Sequence, residues 1–348
     1  MAALRCLCML VLVSLCLGET PTVPPKYVVD LDLTEEQRWT HVVKDYPELP
    51  EMIQTVIKKY VPDDLVSMVE QIGSAIDDYL PSPYAGEIRG IAKALNMTLG
   101  EAVIPNILYD LTSFCTSIVA QDLSGNIWHA RNLDYSFTDM LRNITIIVDF
   151  QRQGKIVYSG VTYAGYVGLL SVQKPGAFTI TADERDKGAW WMNLLIGIFD
   201  KQAKPMSFLV RDTTEQAEDF QSAVRQLSYT VTEASVYYII GGVKKGEGAV
   251  ITKERLSALD TWYIDSTVGR WFVLETNYDH WVTPPTSDDR RDPGIKAMNA
   301  MGNKTITVNS LFKVLSTQPV LNPTTTYSVV MSAGQPDLLT AWVRHLAH

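Results

Sequence analysis

The chain has 348 residues, of which 46% are hydrophobic and 20% charged, and a formal net charge of −9. That apolar content supports a sizeable core in one or two domains and excludes general disorder. A net negative charge without clustered Lys and Arg excludes nucleic acid as a partner, because phosphate neutralisation needs such clusters.

Residues 1–18 have the layout of a signal peptide: Arg5, the apolar run Cys6–Leu17, and the small Gly18 before a polar, Pro-rich stretch. The run is short for a membrane span, and no later segment approaches about 18 uninterrupted apolar residues. The mature chain is therefore expected to be soluble and lumenal or secreted. Three glycosylation sequons, at Asn96, Asn143 and Asn303, agree with that route, whereas Asn322 is followed by proline.

From about Thr34 to Leu111 the pattern is helical. Ile53, Val56, Ile57 and Tyr60 recur at helical spacing, as do Leu65, Met68, Val69, Ile72, Ile76 and Leu80. Thr98 and Glu101 have capping-box spacing before the apolar run 102–108. After Phe114 the texture changes to short β-rich runs in pairs: 117–120 with 127–130, 144–150 with 155–158, and 236–240 with 248–251. Helical stretches are expected near 190–199 and 214–227. Hairpins with segregated helices predict an α+β fold with antiparallel sheets, and the boundary falls at Phe114/Cys115.

Of four cysteines, Cys6, Cys8 and Cys16 leave with the leader, so the mature chain keeps Cys115 alone and has no internal disulfide. One reading is a small buried core residue. The other is a nucleophile, because Cys115 stands where helix gives way to sheet. If the Phe114–Cys115 bond is cut, Cys115 acquires an α-amine that titrates near pH 8, and base and nucleophile then share one residue. A Cys–His mechanism is the alternative, but Cys115 lacks the papain-type context. His41, His345 and His348 lie near the termini, and His129 and His280 in strand contexts. The five histidines and one mature cysteine show no ligand spacing, so neither metal nor other cofactor is expected.

The run Arg131-Asn-Leu-Asp134 closes the first hairpin and can return beside Cys115. Asp134 could then hold the α-amine, and Arg131 could favour a thiolate; an ordinary strand-end ion pair is the other reading. Asn277, after the strand pattern 270–274, is either a turn residue or an oxyanion donor.

The stretch from Cys115 to Tyr135 resembles the acid ceramidase and N-acylethanolamine acid amidase family. The likeness continues through Ala164–Gly168, Asp183–Gly188, Gly241-Gly242, Val250–Thr252, Asn277–Trp281 and Asp288–Arg291. It implies an N-terminal-nucleophile hydrolase with an αββα sandwich, made as a lysosomal zymogen that cuts itself at acidic pH. The products would be a helical α-subunit, 19–114, and a catalytic β-subunit, 115–348, paired as a heterodimer. By the same resemblance Cys115 is nucleophile and cleavage centre, Arg131 and Asp134 flank its thiol and amine, Asn277 serves the oxyanion, Arg290 supports the site, and Glu184 acts in acid-dependent activation. A lipid amide is the implied substrate, with membrane contact through the N-terminal helices; plain core packing is the other reading of their apolar stripes. Asn277–Trp281, Asp183–Gly188 and the lack of paired cysteines resemble the ethanolamide branch, although Leu169-Leu170 departs from its usual Leu-Trp. Ceramide hydrolysis and a non-catalytic lipid-binding protein are the alternatives.

Overall fold

A computed structural model of the chain describes residues 21–60, 80–108, 113–185 and 203–345. The leader, the apolar pattern 65–79 and the helix expected near 190–199 lie outside them. Among the described residues no helix is long and apolar enough to cross a membrane.

The N-terminal piece opens with strand β1 (Lys26–Asp30), then helices α1 (Thr40–Val43), α2 (Leu49–Tyr60), α3 (Tyr84–Leu95) and α4 (Leu99–Leu108). The expected capping box starts α4: the Thr98 N–H donates to Glu101 Oε2 at 2.8 Å, and the Glu101 N–H to Thr98 Oγ1 at 3.2 Å. Gly90 lets α3 cross the preceding 3-10 turn, since a Cβ there would lie 2.0 Å from the Glu36 carbonyl oxygen.

Then follow β2 (Ser113–Gln121), β3 (Ile127–Tyr135), α5 (Thr138–Ile144), β4 (Thr145–Arg152), β5 (Lys155–Tyr163), β6 (Ser171–Lys174) and β7 (Phe178–Glu184). After them come α6 (Met206–Gln216), α7 (Phe220–Tyr229), β8 (Val236–Gly241), β9 (Gly248–Lys253) and β10 (Ala258–Tyr263). The chain closes with β11 (Phe272–Glu275), α8 (Arg291–Met301), α9 (Val308–Leu315), β12 (Thr325–Met331) and β13 (Leu339–Val343). All three expected hairpins form, as β2–β3, β4–β5 and β8–β9.

Two sheets stack face to face, one ordered β1-β4-β5-β6-β7-β8-β9-β10, the other β11-β2-β3-β12-β13. Helices α6 and α7 cover the first, and α8 and α9 the second, which gives the αββα sandwich. Side-chain alternation turns Cys115, Ser117, Arg131 and His129 toward the facing sheet. Ile118, Ala120 and Ala130 turn instead toward Met298, Leu311 and Leu315 of the outer helices.

Three details differ from expectation. β1 lies before the helical pattern that starts at Thr34, inside the expected helical subunit 19–114, and joins the large sheet beside β4, the parallel pair in otherwise antiparallel sheets. The helix expected at 214–227 is two, because Asp219 ends the pattern and caps α7 by accepting from the Ser222 N–H at 2.8 Å. β2 starts at Ser113, so the Phe114–Cys115 bond lies inside a strand rather than at its edge.

The N-terminal piece is tied to the body by one buried ion cluster. Glu87 on α3 is fully buried and accepts from both terminal nitrogens of buried Arg211 on α6, at 2.5 and 2.7 Å, and from Trp39 Nε1 at 2.7 Å. Beside it the Tyr84 ring stacks on Phe208 at 3.9 Å. Removing one partner of a buried pair strands the other charge, at a cost of about 3–5 kcal/mol. Glu87→Ala should lower unfolding free energy by that amount in urea denaturation; a loss below about 1 kcal/mol would refute the role given to this cluster.

Candidate active site

The register of β2 on β3 builds the site: Cys115 pairs with Leu133, Phe114 with Asp134, and Ser117 with Arg131. Cys115 is buried and unpaired, and its sulfur accepts from Arg131 Nη2 at 2.9 Å. The same guanidinium donates to the carbonyls of Leu170 and Ala182, the latter at 2.7 Å, and to Ser171 Oγ at 2.9 Å. Asp183 Oδ1 stands 3.7 Å from Arg131 and accepts from Ser117 Oγ at 2.8 Å.

The backbone of Cys115 is held separately. Its N–H donates to Asn277 Oδ1 at 2.9 Å, and its carbonyl accepts from Arg290 Nη1. Arg290 also donates to Asn277 Oδ1 at 2.8 Å and is clamped by Asp288, at 2.8 and 2.9 Å. The Phe114 ring, 47% exposed, lies under this guanidinium. Asp134 accepts from Thr325 Oγ1 at 2.6 Å and Asn322 Nδ2 at 2.8 Å, and lies 3.6 Å from Arg290. Cys115, Phe114, Arg131, Asp134, Asn277 and Arg290 thus converge on one peptide bond.

Glu184 meets the site through its backbone. Its carbonyl accepts from Asn277 Nδ2 at 2.7 Å, so the Asn277 oxygen, not its NH2, faces Cys115. Thr179, Thr181 and Asp183 bond into the facing sheet, and alternation along β7 therefore turns the half-buried Glu184 to the opposite side. His129 serves structure: its ring nitrogens contact Thr179 and Thr181 at 2.8 and 3.0 Å, and burial pushes its pKa down to about 3. His280 stacks on Trp262. Neither is a partner for Cys115. Among the described residues no cluster of His, Cys, Asp or Glu could hold a metal ion.

Burial pushes the Cys115 thiol up to about 12; Arg131 works against that shift and Asp183 adds to it. Burial also raises Asp183 to about 7, opposed first by Arg131, and Glu275 to about 8, opposed first by its bond from the Thr276 N–H. A thiol so placed attacks only when a proton acceptor adjoins it, and the nitrogen of the same residue becomes one if its peptide bond opens.

Known relatives match the chain along most of their length. The chain is 43% identical to the N-acylethanolamine-hydrolyzing acid amidase of Cavia porcellus, over 95% of this chain and 94% of that one. It is 34% identical to acid ceramidase of Homo sapiens, over 91% and 85%. The chain belongs to the N-acylethanolamine acid amidase and acid ceramidase family. A family model described as the beta subunit of N-acylethanolamine-hydrolyzing acid amidase matches residues 22–80, in the N-terminal piece. The solved structure of the Caenorhabditis elegans amidase ortholog superposes with a TM-score of 0.61 at 40% identity, covering 66% of this chain and 99% of that one. As a member of this family the chain is an amidase of the N-terminal-nucleophile class.

Sequence reasoning missed Asp183 and Ser117, which face the sulfur, and Asp288, Asn322 and Thr325, which fix Arg290 and Asp134. A signal for Asp183 was present: Thr179, Thr181 and Asp183 alternate with apolar Phe178, Ile180 and Ala182.

The raised carboxyls make stability depend on pH. Asp183 and Glu275 bind protons more tightly folded than at their ordinary 3.8 and 4.5, so they favour folding in acid and the contribution is lost as pH rises through about 7 and about 8. His129, held neutral, opposes this with one proton below its ordinary 6.5. Urea midpoints of Cys115→Ala protein should therefore fall between about pH 6 and pH 8. Equal midpoints would contradict the burial of these carboxyls.

Proposed function

We propose that the chain is a lysosomal cysteine amidase that hydrolyses N-acylethanolamines such as palmitoylethanolamide to a fatty acid and ethanolamine, after cutting itself before Cys115 at acidic pH. The observation that carries this reading is the separate holding of two atoms of one residue, the Cys115 sulfur by Arg131 and the Cys115 nitrogen by Asn277, each at 2.9 Å. Cutting turns that N–H into an α-amine at the Asn277 oxygen, with a pKa near 8. The amine accepts the thiol proton as sulfur attacks the substrate carbonyl. Ethanolamine leaves with the proton, and water hydrolyses the acyl-thioester. Arg131 and Arg290 stand as the nearest fixed cations to the developing charge. Asn277 can add its NH2 to the oxyanion by turning that group away from the Glu184 carbonyl.

A small apolar groove of about 80 Å³, open to solvent, lies between α2, α4 and α5 and offers the start of a path for an acyl chain; Leu49, Met52, Ile53, Ile104, Phe137 and Leu141 are among its lining residues. Tyr135, also on its wall, pairs with Ser113, two strand residues or roughly 7 Å from Cys115. Met52, Ile53 and Val56 remain half-exposed on α2, which supports contact of this face with a membrane from which a lipid amide is drawn. Exposed Asn96 and Asn143 are available for glycosylation on a secretory route, and the acid-favoured carboxyls suit a lysosome.

Incubation at acidic pH followed by N-terminal sequencing should give a new terminus, Cys-Thr-Ser-Ile-Val, which Cys115→Ala abolishes together with palmitoylethanolamide turnover. An uncut chain that still hydrolyses lipid amides would overturn the scheme. Faster turnover of a short-chain ceramide than of palmitoylethanolamide would move the substrate to the ceramidase branch.

A further inference from the structure

The first cut poses a problem that later turnovers do not. Before it, the nitrogen of Cys115 is an amide with no basicity, and the thiol sits in a dry site where Arg131 and Asp183 act on it most, with Asp134 beyond them. Sγ lies 2.9 Å from Arg131 Nη2, and Asp183 Oδ1 lies 3.7 Å from that same nitrogen. Arg131 and Asp183 are both fully buried. Ser117 Oγ donates to Oδ1 at 2.8 Å, while Oδ2 has no hydrogen-bond partner among the described residues. Arg131 is thus shared between a sulfur and a carboxyl, and it cannot neutralise two anions at once.

We propose that Asp183 is the positioning residue that sets how much of the Arg131 charge reaches the Cys115 sulfur: ionised, it claims the guanidinium and opposes a thiolate; protonated, it releases Arg131 to the sulfur and lets the first cut proceed. This rests on the reading that Cys115 cuts the bond before it. In that step the Sγ–carbon bond to Phe114 forms, the bond from that carbon to the Cys115 nitrogen breaks, and the proton lost by sulfur ends on nitrogen. Water then cleaves the thioester, leaving a Phe114 carboxylate and the restored thiol.

Every element packed around Asp183 bears on its titration. β2 brings the Cys115 thiol and the Ser117 hydroxyl, β3 brings Arg131, and the turn before α8 brings Arg290, all of which favour the carboxylate. β11 brings Glu275, a second buried carboxyl coupled to it, and β12 brings Tyr327, whose phenol faces the same three groups. β8 places Tyr237 directly opposite in register, with its hydroxyl donating to Asp279. Burial outweighs the cations, and Asp183 keeps its proton up to about pH 7. Strand alternation turns Glu184, one residue on, to the other side of β7.

The test is the pH profile of cutting, followed by appearance of the Cys-Thr-Ser-Ile-Val terminus, together with titration of the ultraviolet thiolate band against a Cys115→Ser blank. Wild-type cutting should fall as pH rises through neutrality. Asp183→Asn, permanently uncharged, should lose that fall, cut about twofold faster than wild type at pH 7 and roughly tenfold faster at pH 8, and form thiolate at lower pH, since each unit off the thiol pKa is tenfold in thiolate. Ser117→Ala removes a bond that favours the carboxylate, so its falling limb should move to higher pH; this arm decides the matter if Asp183→Asn does not fold. An unchanged profile and thiol titration in Asp183→Asn, or an unmoved limb in Ser117→Ala, would overturn the proposal. If wild type is cut at no pH, the self-cutting reading fails by itself, and the thiolate titration still decides whether Asp183 controls the sulfur.

Discussion

A guanidinium buried between two sheets must find an acceptor for its N–H groups, and the site follows from how Arg131 does so. Two backbone carbonyls, at Leu170 and Ala182, and the Ser171 hydroxyl take part of its capacity, and the Cys115 sulfur takes another bond, while its Nε–H finds no acceptor among the described residues. The acceptors come from three separate segments, Leu170-Ser171, Ala182 and Cys115, so the cation cannot move without breaking bonds to all three. The sulfur is fixed because the cation is. Asp183 on the facing sheet lies 3.7 Å from this cation and supplies a counter-charge only when it is ionised. The Cys115 sulfur therefore sits at the seam between the sheets, where their packing holds its partners.

The second constraint is the register of β11. Glu275 pairs with Ser117, so a continued antiparallel ladder would bring residue 277 opposite residue 115. The strand ends at Glu275, and the Asn277 side chain takes the bond that a backbone carbonyl would have made, accepting from the Cys115 N–H. A side-chain amide in place of a ladder partner leaves the nitrogen held by a single acceptor. That nitrogen can change from amide to amine without disturbing the sheet on either side, since Ile118 and Val119 keep their pairing to Leu274 and Val273.

Much of this was legible in the sequence because it is local. The three hairpins, the capping box at Thr98, and the return of Arg131 and Asp134 beside Cys115 follow from alternation and turn residues within some twenty positions. What escaped was set by distant contacts. β1 has too few residues to announce a strand and is fixed by lying along β4. The orientation of Asn277 is decided by the Glu184 carbonyl and Arg290, which sequence spacing does not relate to it. Asp183 and Glu184 are adjacent and alike in chemistry, and the facing sheet decides between them, because Ser117 bonds the one and alternation removes the other.

The Phe114–Cys115 bond lies inside β2, so a break there would leave the fold standing. Ser113 and Phe114 pair with Tyr135 and Asp134, and Cys115 onward pairs with Leu133 and its predecessors, so both sides of the bond stay laddered to the same strand. The N-terminal piece is held independently through Glu87 and Arg211, with Trp39 and Tyr84 packed around them. Fully burying one such aromatic contributes about 1.5–3 kcal/mol, and the buried ion cluster cannot part without exposing two unpaired charges to a dry interior. A break at Phe114–Cys115 therefore changes the chemistry of one nitrogen while leaving its acceptor, the cation beside its sulfur and the apolar wall at Tyr135 where they were, which is the condition a nucleophile made by cleavage has to meet.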